Sequence, residues 1–368
     1  MDAVLIENEE LVHLAREALA SGDTQSTRTV RNLARRLRDV SPQAATELTG
    51  LLRAGVVRGA KASAVETPLD VDTRMPLVRI EDPARPDRTL VLSEEVGHAV
   101  DQLVMEHKNP GRLAAAGLAP SRTALLVGPP GVGKTTAARE LARQLKLPLI
   151  ILDLSTVISS FLGKTGSNLR RVLDYAQMRR SVLLLDEFDA IAKSRGDAAE
   201  LGELKRLVTV LLQEIDNWPE GSLLLAATNH PELLDPAVWR RFEVTIKFEL
   251  PSTSEISQFL INDPLLEGID ESVLPVLALV YSGRSFSTLA TDLTRVRRAA
   301  ALSDGDYTAA VLTLIRKHRD SADRAEIRQL ALALKDTGRY SQRAIAELLG
   351  MSRDTIRRAG TGNLEVTS

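Results

Sequence analysis

The sequence predicts an α/β chain: a parallel-sheet core with a helical lid, preceded and followed by small all-helical segments. Three observations carry this. Between residues 124 and 248, short apolar runs alternate with stretches of helical periodicity, the pattern of a parallel sheet covered on both faces. One run, Ala124-Leu125-Leu126-Val127, passes through the turn Gly128-Pro129-Pro130-Gly131-Val132-Gly133 straight into a helical stretch that starts at Lys134. Outside 71–251, apolar residues recur at helical spacing instead.

Taken in order, residues 1–70 read as a helical adaptor or assembly segment. Val30, Leu33, Leu37 and Val40 form one stripe, Arg28, Arg31, Arg35, Arg36 and Arg38 cover much of the rest, and Ser41-Pro42 opens the next helix. That basic face suits nucleic acid, an acidic neighbouring subunit or plain solvation. Residues 71–251 hold the core and its lead-in. Pro68, Pro76, Pro83 and Pro86 break long elements around a short strand expected at Leu77–Ile80, and helices are expected at Leu92–His107 and Pro110–Ala116. Strands follow at Ala124–Val127, Leu149–Leu152, Val182–Leu185, Leu223–Ala227 and Val244–Phe248, with helices after Lys134 and at Asn168–Gln177 and Glu200–Glu214. Residues 252–315 form the lid, marked by Ile256, Phe259 and Leu260, by Val273, Leu274 and Leu277, and by Leu289, Leu293 and Val296. Residues 316–368 read as a separate basic tail.

Composition narrows the chemistry. The 368 residues contain no cysteine, which removes disulfides, thiolate metal sites and cysteine nucleophiles. Net charge is −2, so the whole surface does not attract nucleic acid, although local patches can. No apolar run approaches a membrane span. Met1-Asp2-Ala3-Val4-Leu5-Ile6-Glu7 lacks the features of a signal peptide. The expected location is the cytoplasm.

Gly128 to Thr135 fits the phosphate-loop pattern G-x-x-x-x-G-K-[ST] between a strand and a helix start. Its glycines let several backbone N–H groups converge on phosphate oxygens, and the helix start adds its positive end. Lys134 reaches the β and γ phosphates, the Thr135 hydroxyl ligates Mg²⁺, and Thr136 completes the cofactor-binding stretch. ATP and Mg²⁺ are therefore the expected cofactors. Val182-Leu183-Leu184-Leu185-Asp186-Glu187 supplies a buried strand ending in two acids, 52 residues beyond Lys134. Asp186 is placed to hold the metal and Glu187 to act as general base on water. Asn229, at the end of the next strand, is placed between the phosphate loop and Asp186, within reach of the attacking water or the γ-phosphate. Arg240 and Arg241 lie too far along to cradle phosphate in their own site. They suit a neighbouring subunit's site, or surface ion pairs.

The pieces GPPGVGKTT, LLLDEFDA, LLLAATNHPELLDPAVWRRFE and GRSFSTLATDLTRVRRAA resemble, in order and spacing, an AAA+ ATPase module of the branch that remodels or unfolds proteins. The resemblance covers residues 90–315. It implies ATP hydrolysis by a homo-oligomer, expected to be a hexameric ring. Asn229 would be its sensor-one residue, and Arg240 and Arg241 would occupy the arginine-finger region. Arg284 is out of register with the lid arginine of other branches. The resemblance also implies a substrate-gripping pore loop, which falls on Ser159–Gly166. There Phe161 and Leu162 match the aromatic–aliphatic pair, and Lys164 replaces the usual acid. The partner so implied is an unfolded or tagged protein. His13, His98, His107, His230 and His318 include no H-E-x-x-H, so a protease partner would be separately encoded.

The tail from 316 to 358 carries eleven Lys or Arg against six Asp or Glu, a net of +5. Residues 340–358 look like a helix-turn-helix. Ala344, Ile345 and Leu348 pack its first helix, Gly350 turns the chain, Ser352 caps the second helix and Ile356 anchors it. Arg353, Thr355, Arg357 and Arg358 fall near the outer side. Such units bind DNA or dock proteins, so a DNA-directed ATPase anchored by this tail is the alternative function.

Overall fold

The computed structural model describes residues 41, 48, 67–70, 74–82, 90–160, 165–193, 208–263, 270–302, 307–320 and 322–359. The chain divides into two units, Met1–Thr67 and Pro68–Ser368. Nearly all of the helical segment expected at 1–70 lies outside the described residues, as do Phe161, Leu162 and Lys164 of the expected pore loop.

The second unit is built on a six-stranded sheet. Its strands are β1 (Arg79–Glu81), β2 (Thr123–Val127), β3 (Leu149–Asp153), β4 (Val182–Asp186), β5 (Leu223–Thr228) and β6 (Val244–Lys247). They stand in the order β1-β3-β4-β5-β2-β6. The five strands from β2 to β6 run parallel to one another. β1 lies two residues beyond the start expected at Leu77, and it pairs antiparallel with β3, Ile80 opposite Ile150.

Alternation along the strands fills two cores. Leu125, Ile150, Leu152, Leu183, Leu185 and Leu224 face one side, with Trp218 and Phe188. That side is covered by α5 (Thr165–Gln177) and the helical stretch 208–216, following α4 (Leu154–Ser160) and α6 (Ala190–Lys193) in sequence. Ala124, Leu126, Leu149, Leu184, Leu223 and Leu225 face the other. There they meet α1 (Glu94–Lys108), which leads into the short α2 (Pro110–Ala115), and α3 (Lys134–Leu145). Because side chains point alternately to the two faces, the apolar β4 can be buried on both, and all of Val182–Leu185 is fully covered. α7, the stretch 208–216, precedes β5, and α8 (Pro236–Trp239) lies between β5 and β6.

The lid comprises α9 (Thr253–Asn262), α10 (Leu274–Val280) and α11 (Phe286–Leu302). A capping box between Ser252 and Glu255 starts α9. The tail comprises α12 (Tyr307–Arg319), α13 (Arg324–Asp336), α14 (Gln342–Leu349) and α15 (Arg353–Ala359). The expected boundary between residues 315 and 316 falls inside α12. Ile256, Val276, Leu277, Leu289 and Leu293 of the lid share one hydrophobic cluster with Val311, Ile315, Leu330, Leu334, Ile345, Leu348 and Ile356 of the tail. Lid and tail therefore pack as one body, because neither buries its apolar stripes alone. Among the described residues, no helix is long and apolar enough to cross a membrane.

Candidate functional site

The site forms where β2, β4 and β5 end together. β5 lies between β4 and β2, so Thr228 and Asn229 emerge between Asp186 and the turn after β2. Ligands bind at such carboxyl edges of open parallel sheets.

Lys134 starts α3 and is buried, 7% exposed. Its Nζ donates to the Gly128 carbonyl at 2.6 Å, to the Pro129 carbonyl at 2.9 Å and to Asn229 Oδ1 at 2.7 Å. Burial pulls the Lys134 ammonium below its ordinary pKa, while Asp186, Glu187 and Asp189 act against that. The next residue, Thr135, donates from Oγ1 to Asp186 Oδ2 at 3.1 Å. A hydroxyl and a carboxylate in contact beside a glycine-rich turn fit the demands of Mg²⁺, which takes one or two protein ligands and keeps phosphate oxygens and water for the rest. Among the described residues, no cluster of three or more His, Asp or Glu forms a metal cage.

Glu187 occupies the left-handed region at φ 52°. For a non-glycine residue this costs on the order of 1–3 kcal/mol and is retained where the surroundings enforce it. The next residue supplies the enforcement. Phe188 is fully buried, its N–H donates to the Ala227 carbonyl at 2.8 Å, and its ring meets Phe242 edge-on at 5.7 Å. With Asp186 on the strand and Phe188 turned into the core, Glu187 lines the cavity. Asn229 Nδ2 donates to Glu187 Oε1 at 3.1 Å. One amide thus joins the buried lysine and this carboxylate, where the sequence suggested a contact with water or phosphate.

Several site residues carried no sequence signal of their own. Asp189 is buried, and its Oδ1 accepts from Thr228 Oγ1 at 3.0 Å and from the Asn229 N–H at 3.2 Å, holding the loop that presents Asn229. A cavity of about 310 Å³ runs from Lys134, Thr135 and Asp186 to an apolar end lined by Leu90, Val91, Phe259 and Phe286. The Phe259 and Phe286 rings lie 5.3 Å apart. The lid closes onto the glycine turn where the Ser287 N–H donates to the Gly131 carbonyl at 3.2 Å. Val132 is buried in the core, whereas Pro130, Gly131, Gly133 and Thr136 line the cavity.

The paired arginines separate. Arg241 forms an ion pair with Asp216. Arg240 is exposed and makes no ion pair among the described residues. Neither lines the cavity of its own chain. Arg284 is also elsewhere: it donates to His318 Nδ1 at 2.7 Å, joining lid to tail.

Residues 124–250 match the family model described as "ATPase family associated with various cellular activities (AAA)". The chain is similar to the Sinorhizobium fredii protein described as "Uncharacterized AAA family ATPase y4kL", with 40% identity over 50% of this chain and 55% of that protein. It is also similar to the "ATP-dependent zinc metalloprotease FtsH 1" of Methylacidiphilum infernorum, with 30% identity over 60% of this chain and 37% of that protein. The chain thus spans about half, or less, of the curated relatives it matches. In fold it resembles the crystal structure of the FIGL-1 AAA domain in complex with ADP. That likeness has a TM-score of 0.53 at 21% identity and covers 79% of this chain and 88% of that one.

Proposed function

We propose that this chain, which contains an AAA+ ATPase domain with ATP and Mg²⁺ as its cofactors, hydrolyses ATP in an oligomeric ring and uses the cycle to remodel or unfold a protein client. The observation that carries hydrolysis over mere binding is the Asn229 bridge. It ties Lys134, placed for the terminal phosphates, to Glu187, placed for the attacking water. A storage site for nucleotide has no use for a carboxylate held on a left-handed backbone and joined through Asn229 to the Lys134 ammonium.

In this reading Gly128 to Thr136 cradle the phosphates, and Thr135 and Asp186 hold Mg²⁺, which neutralises charge on the transferring group. Glu187 takes a proton from water. Asn229 keeps the base and the Lys134 ammonium in register. Arg240 and Arg241 act on a neighbouring subunit's nucleotide, for which a hexameric ring is the proposed assembly. Their absence from their own cavity supports this, and the exposed Arg240 supports it more directly than Arg241 does.

The support for a polypeptide client is the sequence Phe161-Leu162-Gly163, an aromatic–aliphatic pair flanked by small and polar residues. A separately encoded protease is a proposed partner, by analogy with the relatives described as ATP-dependent zinc metalloproteases. The cytoplasm is the proposed location. The test is unfolding of a tagged fluorescent reporter. Phe161→Ala should abolish it while nucleotide still binds, because a large rigid apolar contact with the client is lost. Intact unfolding by that variant overturns the gripping role.

A further inference from the structure

ATP hydrolysis at the nucleotide site and client gripping at Phe161 leave the basic tail without a task. Its last two helices meet across a three-residue turn. α14 starts at Ser341, whose side chain accepts from the Ala344 N–H, and stops at Gly350, whose φ of 64° is left-handed. Only a residue without Cβ takes that conformation freely. Ser352 then starts α15, its Oγ accepting from the Thr355 N–H at 3.2 Å. Ile345, Leu348, Leu349 and Ile356 point inward and are buried. The angle between the helices is thus set by a short turn and a shared core.

Two groups of arginines matter to this region. One group holds the tail in place. Arg339 pairs with Asp270 at 2.6 Å, Arg319 donates to the Leu348 carbonyl at 3.3 Å, and Arg284 reaches His318. The other group is Arg343 on α14 with Arg353 and Arg357 on α15. All three are exposed, and none makes an ion pair among the described residues. Arg353 and Arg357 are one turn apart on one face. Two exposed acids share these helices, Glu347 and Asp354, and Asp354 lies in the first turn of α15, where it complements the helix dipole. No large apolar side chain of α14 or α15 is exposed, so the surface lacks the apolar centre of a protein interface.

We propose that α14 and α15 form a duplex-DNA-binding head carried by the nucleotide lid, with Arg343, Arg353 and Arg357 as its phosphate and base-edge contacts. A rigidly mounted helix with unpaired cations on its outer face matches the major groove in shape and the phosphates in charge. This inference is independent of the protein-remodelling reading. The hydrophobic cluster that holds Ile345 and Ile356 also contains Phe259, and Phe286 packs against it. Both rings line the nucleotide cavity, so a lid that shifts with nucleotide shifts the head.

The test is fluorescence anisotropy of the full chain with a labelled random-sequence duplex of about 30 base pairs, at about 50 and 200 mM salt. The parent should bind, with affinity falling steeply as salt rises. Arg353→Ala/Arg357→Ala should bind at least about tenfold more weakly at low salt, with the logarithmic salt slope reduced by about two. Arg353→Lys/Arg357→Lys, which keeps the charges, should keep the slope. Circular dichroism checks folding, and Arg343→Ala on the other helix gives the same reading if the double variant does not fold. Saturating ADP should change duplex affinity, and an unchanged value overturns the carriage by the lid. The head itself is overturned if the parent fails to bind duplex, if it takes polyglutamate instead, or if the double alanine variant binds duplex as the parent does.

Discussion

Gly131→Ala tests the contact between lid and phosphate loop. Gly131 has φ 77°, and a Cβ built there would lie 1.9 Å from Ser287 Oγ, 2.7 Å from Ser287 Cβ and 2.9 Å from Ser285 Oγ. Two costs follow. An alanine in the left-handed region costs roughly 1–2 kcal/mol whatever surrounds it. Overpacking against the lid adds about 1–3 kcal/mol. The second cost is removable: Ser287→Gly deletes the two nearest atoms and keeps the N–H that bonds the Gly131 carbonyl. ADP affinity measured by titration calorimetry on the parent, both single variants and the double variant closes a thermodynamic cycle. Gly131→Ala should bind ADP weakly, and adding Ser287→Gly should restore roughly 5- to 150-fold, the equivalent of about 1–3 kcal/mol. The strain share should remain lost. If Gly131→Ala binds like the parent, or if Ser287→Gly recovers nothing, the lid does not rest on this glycine when nucleotide is present.

Three further predictions use the same site and its surroundings. Glu187→Gln should keep ATP binding and slow hydrolysis by roughly 10²–10⁴, whereas Lys134→Ala should weaken binding itself; calorimetry beside single-turnover hydrolysis separates them, and equal loss of affinity in both would make Glu187 structural. Arg240→Ala should lose turnover yet still bind nucleotide, and doping in Glu187→Gln subunits, which retain both arginines, should restore turnover at some sites; co-assembled mixtures that stay inactive at every ratio count against action between subunits. Burial, helped by Arg284, holds the His318 imidazole below its ordinary pKa. The unfolded chain therefore binds the extra proton first on acidification, so this contribution to stability is complete above about pH 6.5 and is lost as pH falls below it. Thermal melts across that range should show a shallower loss in His318→Gln than in the parent, and equal slopes would exclude His318 as the source.

Much of the core was legible because its signals are local. The strand–turn–helix from Ala124 to Leu141, the double-faced β4 and the acids at its end are all set by neighbours in sequence, through glycine spacing and periodicity. Asn229 was legible for a related reason: strands that end at one sheet edge bring their next residues together. What sequence left undecided depends on residues brought together from distant parts of the chain. The antiparallel pairing of β1 depends on how the lead-in reaches the edge. The left-handed Glu187 depends on Phe188 packing against Phe242, 54 positions further along. The apolar end of the cavity joins Leu90 and Val91 to Phe259 and Phe286, which read in sequence only as lead-in and helix-core residues. The two adjacent arginines were indistinguishable until Asp216 engaged one of them. The tail looked separate because its charge and its helix-turn-helix pattern are local properties. Burial is not local: Ile345 and Ile356 find their partners in the same apolar cluster as the lid, and that shared core makes the tail part of the nucleotide-binding body.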